Sequence, residues 1–153
     1  MGIRLAYIEN QKNASIDALC DEYVKKTKGI FSFELIKLSA AKQSEPEKQR
    51  EIETANFIKI AREQDQLILL DEKGKQTTSI EFSQNLEKDL ANSRGDIIFC
   101  IGGAYGFTED AKRKYPSFRM SNWVFPHQLA RLVLCEQFYR AFQISQGGKY
   151  HHF

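Results

Sequence analysis

Short apolar segments alternate along the chain with longer segments in which apolar and polar residues are mixed. The apolar segments lie at Gly2–Glu9, 30–38, 66–72 and 96–101. The intervening segments have the length and composition of helices, so the pattern predicts strands alternating with helices. The third and fourth strands are apolar throughout, which is typical of strands covered on both faces. We expect a single α/β domain over residues 1–153, with a mostly parallel sheet flanked by helices.

Helix-start and helix-end signals divide the first half of the chain. Gly29 is a natural end for a helix over 13–28. In the sequence SEPEKQR, Ser44 is the expected cap of the second helix, with Pro46 in its first turn. Glu47, three residues after Ser44, would complete a capping box.

The second half of the chain alternates in the same way. We expect a turn at 72–75, followed by a helix that begins at Ser79 or a neighbouring threonine. Residues 108–114 predict a short helix, and 121–125 a short final strand. Pro126 opens the last long helix, whose apolar residues lie on almost every side. Such a helix is buried on two sides, so we expect one face on the sheet and another on a second subunit.

The sequence gives no sign of a membrane span, a metal centre or a disulfide framework. No apolar stretch approaches the 18 or so residues that a spanning helix needs, and the N-terminal residues lack the form of a signal peptide. Cys20, Cys100 and Cys135 have no close spacing, so neither disulfides nor a zinc site is indicated. We therefore expect a cytoplasmic protein without a bound metal.

Charge is distributed unevenly along the chain. The net charge is +2, but residues 111–153 contain seven Lys or Arg and one acid, Glu136. That part carries +6 and leaves −4 for residues 1–110. A basic C-terminal third indicates an anionic partner on that side, and the alternative is a solvated basic face.

The fourth apolar segment ends in a glycine-rich stretch, DIIFCIGGAYGF. Gly102, Gly103 and Gly106 follow a G-G-x-x-G spacing, which is not the G-x-G-x-x-G of dinucleotide sites. In open α/β sheets, ligands bind at the carboxyl ends of parallel strands, where glycines let the backbone approach closely. The stretch therefore indicates either a ligand-binding loop or a tight connection between a strand and a helix.

The C-terminal third also contains candidate catalytic and RNA-binding side chains. His127 and Arg131 share one face of the last helix, and a cation in its first turn costs roughly 0.3–1 kcal/mol against the helix dipole. Arg131 has no acid three or four residues away, so an incoming anion is the favoured explanation and a distant acid the alternative. Arg140 has Glu136 four residues earlier as an expected partner. The closing KYHHF could stack on a base and contact phosphate.

Four segments, taken in order and spacing, resemble the RlmH family. They are LLDEKGKQTTSIEFS, CIGGAYGF, FPHQLARLVLCEQFYRAFQI and the closing YHH. Members of this family are SPOUT-class methyltransferases that modify a pseudouridine in large-subunit (23S) ribosomal RNA. The likeness covers essentially the whole chain, weakly before Gln66 and strongly after it.

The resemblance implies a fold, an assembly and a cofactor. It implies a SPOUT α/β domain with a C-terminal trefoil knot, a homodimer, and S-adenosylmethionine bound in the knotted loops. The cofactor residues that it implies are Leu70, Gly102, Gly103, Met120, Ser121, Asn122, Trp123, Val124 and Phe125.

The implied reaction is methylation of N3 of a pseudouridine in 23S ribosomal RNA, with the assembled ribosome as the expected substrate. His127 or His151 is the expected base, and Arg131 is expected to orient or stabilise the developing anion. His152 stands where many relatives have Lys or Arg, so its phosphate contact is expected to be weaker. The expected RNA-contacting residues are Lys112, Arg113, Lys114, Arg140, Lys149 and Tyr150.

Rival interpretations follow from parts of the same evidence. A non-catalytic ribosome- or RNA-binding α/β module needs the basic third but no glycine loop. A small-molecule nucleotide enzyme needs the loop but no basic face. A third alternative is a SPOUT methyltransferase that acts on another RNA.

Overall fold

The structure, a computed structural model, describes residues 2–152, and within them five strands alternate with five helices. The elements are β1 (Gly2–Glu9), α1 (Ala14–Lys26), β2 (Ser32–Ser39), α2 (Pro46–Lys59), β3 (Gln66–Gln76), α3 (Ser79–Asn92), β4 (Ile97–Ile101), α4 (Glu109–Lys114), β5 (Ser117–Arg119) and α5 (His127–Ser145).

The strands form one sheet in the order β2-β1-β4-β3-β5, and every neighbouring pair is parallel. The central strand β4 is buried at all five positions. A strand covered on both faces has no polar side, which explains its continuous apolar sequence. The expected mostly parallel α/β sheet is confirmed.

Two apolar clusters cover the two faces of the sheet. On one face, residues of α1, α3 and α5 pack on β1 and β4, and the rings of Phe99 and Phe138 lie 4.9 Å apart. On the other face, α2, α4 and the loop before α4 pack on the alternate strand residues. The rings of Phe57 and Phe107 lie 5.3 Å apart there. Helix α5 is therefore a sheet-packing helix, as expected.

The helix caps differ in one place from those that the sequence predicts. Helix α2 begins after Glu45, which makes no side-chain capping bond, so the capping box predicted at Ser44 and Glu47 is wrong. Pro46 does occupy the first turn. The capping box of the chain lies instead at α3, where the Glu81 N–H donates to Thr78 Oγ1 at 3.1 Å.

Two predicted elements around β5 differ in the structure. The turn expected at 72–75 does not end β3, which continues to Gln76, but Leu70 and Lys75 both pair with Phe118, so the residues between them bulge out of the ladder. Gly74 permits this contact, since a Cβ there would lie 2.5 Å from the Phe118 carbonyl carbon. The strand expected at 121–125 is likewise absent from the described residues. The fifth strand is β5, and it ends at Arg119.

A buried ionic cluster ties the start of β1 to the start of β4. Arg4 is paired with Asp65, and its Nε lies 3.2 Å from Asp96 Oδ2. Asp96 Oδ1 accepts the Gly2 N–H at 2.9 Å. This cluster lies at the amino ends of the central strands, so it stabilises the edge of the sheet opposite the glycine loop.

In the described part of the chain, no helix combines the length and the apolar character needed to cross a membrane. Among the same residues, no group of three or more His, Cys, Asp or Glu side chains could hold a metal ion.

Candidate functional site

A cavity of about 350 Å³ lies at the carboxyl end of β4, between the middle of β3 and the residues that connect β5 to α5. Its walls come from three stretches of chain that the sheet order places side by side. The lining residues are Leu70, Asp71, Glu72, 101–106, Lys112, 119–121, 123–125, His127 and Ala130.

Most residues that the resemblance assigns to the cofactor meet at this cavity. Eight of the nine line it, and Asn122 is the exception. Leu70 lies within β3 rather than at its end, because that strand runs on to Gln76. Trp123 and Val124 are each 79% exposed, so the middle of the 120–125 segment projects towards solvent.

Helix α2 forms hydrogen bonds with the glycine loop, residues 102–106, and with the residues just after it. Arg50 Nε donates to the Tyr105 carbonyl at 2.9 Å, and the Thr108 N–H just beyond the loop donates to Thr54 Oγ1 at 3.2 Å. Gly106 has a φ of +71°, and its N–H donates to the Gly103 carbonyl at 3.1 Å. The loop is thus both a tight turn and a cavity wall. The ligand-binding loop and the tight connection between a strand and a helix, which the sequence left open as alternatives, are therefore compatible.

Gly103 lies close to a buried carboxylate. A Cβ at this position would overlap Glu53 Oε1 from α2. Gly102 is less constrained, since its Cβ would lie 3.2 Å from the ring of Phe107. The backbone of Gly103 therefore separates the cavity from a buried acid.

Glu53 is the functional candidate that the sequence interpretation missed. Its side chain is 1% exposed, and its Oε2 accepts the Ala41 N–H at 2.9 Å. Its Oε1 has no hydrogen-bond partner among the described residues. In the folded chain, Glu53 shares a face of α2 with Arg50, Thr54 and Phe57, which contact Tyr105, Thr108 and Phe107. The sequence of α2 does not mark that face as buried, because its isoleucines Ile52 and Ile58 are exposed.

His127, the first residue of α5, faces the same cavity. Burial lowers the pKa of its imidazole, and the Glu53 carboxylate raises it by a smaller amount, so the pKa lies below its usual value. The ring is therefore mostly neutral at pH 7, the form that accepts a proton.

Arg131 lies away from the cavity. Its guanidinium is 3% exposed, its Nη2 is 2.7 Å from Asp17 Oδ1 on α1, and it stacks over the Tyr7 ring at 4.3 Å. The explanation that an incoming anion balances Arg131 is therefore wrong. A distant acid, the alternative, is its partner.

The C-terminal tail folds back on the far end of α5. Arg140 Nε donates to Glu136 Oε1 at 2.9 Å, and the Tyr150 hydroxyl donates to the same oxygen at 3.1 Å. Arg140 Nη1 lies 3.1 Å from His151 Nδ1, and its guanidinium covers the Tyr150 ring at 4.8 Å. Burial and the Glu136 carboxylate raise the pKa of Tyr150, so its hydroxyl stays protonated. The expected pairing of Arg140 with Glu136 is confirmed.

Comparison with known proteins identifies the family. A family model described as "Predicted SPOUT methyltransferase" matches residues 1–151. The chain belongs to the SPOUT methyltransferase family. Similar proteins named "Ribosomal RNA large subunit methyltransferase H" occur in Bacteroides fragilis, at 38% identity over 86% of this chain and 87% of that protein. The Cytophaga hutchinsonii protein of the same name is 36% identical over 99% of this chain and 100% of its own length. The one from Geobacter sp. strain M21 is 31% identical over 99% of both. The resemblance to the RlmH family is confirmed.

Within this SPOUT chain, the two expected histidines lie at opposite ends of α5. His127 starts the helix, whereas His151 contacts Arg140, thirteen residues further on. At about 1.5 Å per residue, that spacing corresponds to roughly 20 Å along the helix. One copy of the chain therefore does not bring His127 and His151 together.

The remaining basic residues of the SPOUT chain differ in the contacts that their side chains make. Lys112 lines the cavity, with its Nζ 3.6 Å from Glu109 and 3.9 Å from Asp71. Arg113 is paired with Asp110, while the Lys114 ammonium lies 5.2 Å from the Tyr115 ring centroid. Lys149 is exposed. RNA contact by these residues, and by Arg140 and Tyr150, stays a prediction.

Proposed function

We propose that this SPOUT methyltransferase transfers a methyl group from S-adenosylmethionine to N3 of a pseudouridine in 23S ribosomal RNA, with the assembled ribosome as substrate. One observation carries the proposal. The glycine loop, the middle of β3 and the 120–125 segment enclose one cavity, and His127 lies on its wall. The names of the similar proteins support ribosomal RNA as the substrate class. Because the proposed substrate is the ribosome, the proposal includes a cytoplasmic location.

The cavity suits a nucleoside-like cofactor. Its volume of about 350 Å³ falls within the range of roughly 300–1,000 Å³ that is common for ligand pockets. Gly102 and Gly103 present bare backbone, and the 120–125 segment offers backbone groups that are not used in a strand. When bound, S-adenosylmethionine supplies a methyl group already activated on a sulfonium. The protein's task is then mainly to position the acceptor.

His127 is the proposed base. N3 of pseudouridine is a weakly acidic imide nitrogen that must lose its proton as the new bond to the methyl carbon forms. A neutral imidazole on the cavity wall can accept that proton at physiological pH. Arg131 is assigned a structural role, since Asp17 and Tyr7 hold its guanidinium.

A homodimer would complete the site. Arg140, which contacts Tyr150 and His151 of the tail, lies roughly 20 Å from His127 along α5 of the same chain. A second copy could bring its own tail to the cavity of the first. The exposed Leu129, Trp123 and Val124 beside the cavity offer apolar surface for such a contact. The trefoil knot and the single domain over 1–153 also stay predictions.

Labelled methyl transfer tests the proposed function. S-adenosylmethionine carrying a labelled methyl is incubated with the protein and either unmethylated bacterial ribosomes or free ribosomal RNA, and the label is mapped. Label on one pseudouridine, in ribosomes only, is the expected result. Failure to label either substrate, in protein that still binds the cofactor, would exclude ribosomal RNA as the substrate and leave a methyltransferase with another acceptor.

A further inference from the structure

Glu53 stands out in the fold as a buried carboxylate whose hydrogen bonding is incomplete. Its Oε2 accepts the Ala41 N–H at 2.9 Å and lies 3.5 Å from Gln49 Nε2. Its Oε1, directed at the Gly103 backbone, has no hydrogen-bond partner in the described part of the chain. Burying a charge is costly unless it is paired, and no cation forms a salt bridge with Glu53 among those residues.

The charge of Glu53 reaches the cavity through one layer of backbone. Gly103 belongs to the cavity wall and also contacts Glu53 Oε1, since no side chain fits between them. His127 lies on another part of the wall, where the Glu53 carboxylate raises the pKa against the larger effect of burial. The close approach to Gly103 places the carboxylate behind the wall and close to the cavity.

The charges on the wall itself cancel. Asp71 and Glu72 bring two negative charges, and Lys112 and Arg119 bring two positive charges. His127 is mostly neutral at pH 7. The carboxylate of Glu53 adds a negative charge directly behind this wall, and no cation forms a salt bridge with it among the described residues.

We propose that Glu53 makes this site prefer the positively charged methyl donor over the neutral spent product. The inference rests on the proposed function, because it takes S-adenosylmethionine as the ligand. The donor carries a sulfonium, and S-adenosylhomocysteine has a neutral thioether in its place. A fixed negative charge behind a low-dielectric wall stabilises the first more than the second. Glu53 thereby favours exchange of product for fresh donor without touching the reacting atoms.

Calorimetric titration of S-adenosylmethionine, S-adenosylhomocysteine and sinefungin tests the proposal. Sinefungin carries an ammonium group where the donor has its sulfonium. The test variant is Glu53→Gln, which keeps the shape and removes the charge. The matched control is Glu51→Gln, an exposed glutamate on the same helix.

We expect Glu53→Gln to weaken both cationic ligands about tenfold and to change S-adenosylhomocysteine by less than about twofold, since only the charge term differs. Glu51→Gln is expected to change none of the three. Glu53→Asp, which retains a charge, should restore most of the preference. Equal weakening of all three ligands by Glu53→Gln would show that Glu53 only supports the loop, and it would overturn the inference while leaving the cofactor assignment intact. If the wild-type protein binds none of the three, the cofactor assignment falls and the inference with it.

A second measurement needs no cofactor. Titration of the His127 ring by NMR in the free protein should give a lower pKa in Glu53→Gln than in wild type, because the carboxylate stabilises the protonated ring. The other charged and titratable groups on this wall, Asp71, Glu72, Tyr105, Lys112 and Arg119, are the same in both proteins. An unchanged His127 pKa would show that the charge does not reach the cavity and would overturn the proposal. If Glu53→Gln does not fold, the wild-type protein still decides, because tighter binding of neutral S-adenosylhomocysteine than of sinefungin contradicts it.

Discussion

The guanidinium of Arg131 on α5 and the carboxylate of Asp17 on α1 form an ion pair in which Nη2 lies 2.7 Å from Oδ1. Arg131 is 3% exposed, whereas the Asp17 side chain is 32% exposed. The contact joins residues 114 positions apart in the chain. It fixes the first turns of α5, and with them His127, against α1.

Replacing Asp17 with asparagine should destabilise the fold. The buried Arg131 charge would lose its anionic partner, and we expect a loss of about 2–4 kcal/mol in the free energy of unfolding. Urea unfolding measures this loss, with Asp21→Asn on the exposed side of the same helix as control. A change no larger than that of Asp21→Asn would contradict the structural role assigned to Arg131.

The pH dependence of methyl transfer should report His127. Burial lowers the pKa of His127 below its usual 6.5, so the neutral, proton-accepting ring persists to lower pH than an exposed histidine would allow. The acidic limb of the kcat/KM profile, which reports the free enzyme, is therefore expected below pH 6.5. His127→Gln should lower kcat by about 10²–10⁴-fold with the cofactor Kd unchanged. Near-normal turnover by that variant would remove His127 as the base.

Alanine at Gly103 should strain the wall of the cavity. Its Cβ would overlap Glu53 Oε1, and overpacking of this kind costs about 1–3 kcal/mol. We also expect cofactor affinity to fall by more than about tenfold, because the loop must move. Shortening the acid with Glu53→Asp should relieve the overlap. The double variant should therefore be less destabilised than the sum of the two single variants. Strict additivity in thermal or urea unfolding would contradict the close contact.

The Arg4 cluster should make stability sensitive to acid. Burial works against ionisation of Asp65, but N–H donation from Arg62 and Asp96 and the Arg4 charge together lower its pKa. A carboxyl group with a lowered folded pKa stabilises the fold above its unfolded pKa of about 3.9. That contribution is lost as the pH falls through the folded pKa. Asp65→Asn is therefore expected to cost about 3 kcal/mol near pH 6 and much less near pH 2. A cost independent of pH would show that ionisation of Asp65 is not the source.

The tail cluster should matter for RNA methylation but not for cofactor binding. Glu136→Ala removes the oxygen that holds both Arg140 and Tyr150. We expect methyl transfer to fall at least tenfold, because the tail would no longer present His151 in one geometry. The cofactor Kd should stay unchanged, since none of Glu136, Arg140, Tyr150 and His151 lines the cavity. Glu87→Ala, at an exposed position of α3, is the control. Equal transfer rates for the two variants would contradict a role for the tail.

Much of the fold could be predicted because its signals are local. Buried strands have continuous apolar sequences, and Gly29, with a φ of +84°, lies in the turn that follows α1, which ends at Lys26. The differences at 72–75 and 121–125 both involve β5. This strand is three residues long, and β3 pairs with it both before and after the register shift between Leu70 and Lys75. Nothing in either local sequence specifies that pairing.

The residues of the candidate site could be predicted where the family resemblance supplied their positions. They could not be predicted where contacts between residues distant in the sequence determine the arrangement. The eight cavity residues came from motif order. Asp17, the partner of Arg131, lies on α1, and Glu53, the carboxylate behind Gly103, lies on α2. Helical spacing does not mark Glu53 as buried, because Ile52 and Ile58 of the same helix are exposed, and only the folded chain places it behind the glycine loop.

The 120–125 segment is short and fixed at both ends, by β5 at Arg119 and by Pro126 at the start of α5. Six residues between two rigid supports have few conformations to give up when a ligand arrives, so the loss of conformational entropy on binding is small. The sheet and α5 already impose most of that order during folding. The site is in this sense preorganised, and association of a nucleoside-sized ligand should need no slow rearrangement of this wall.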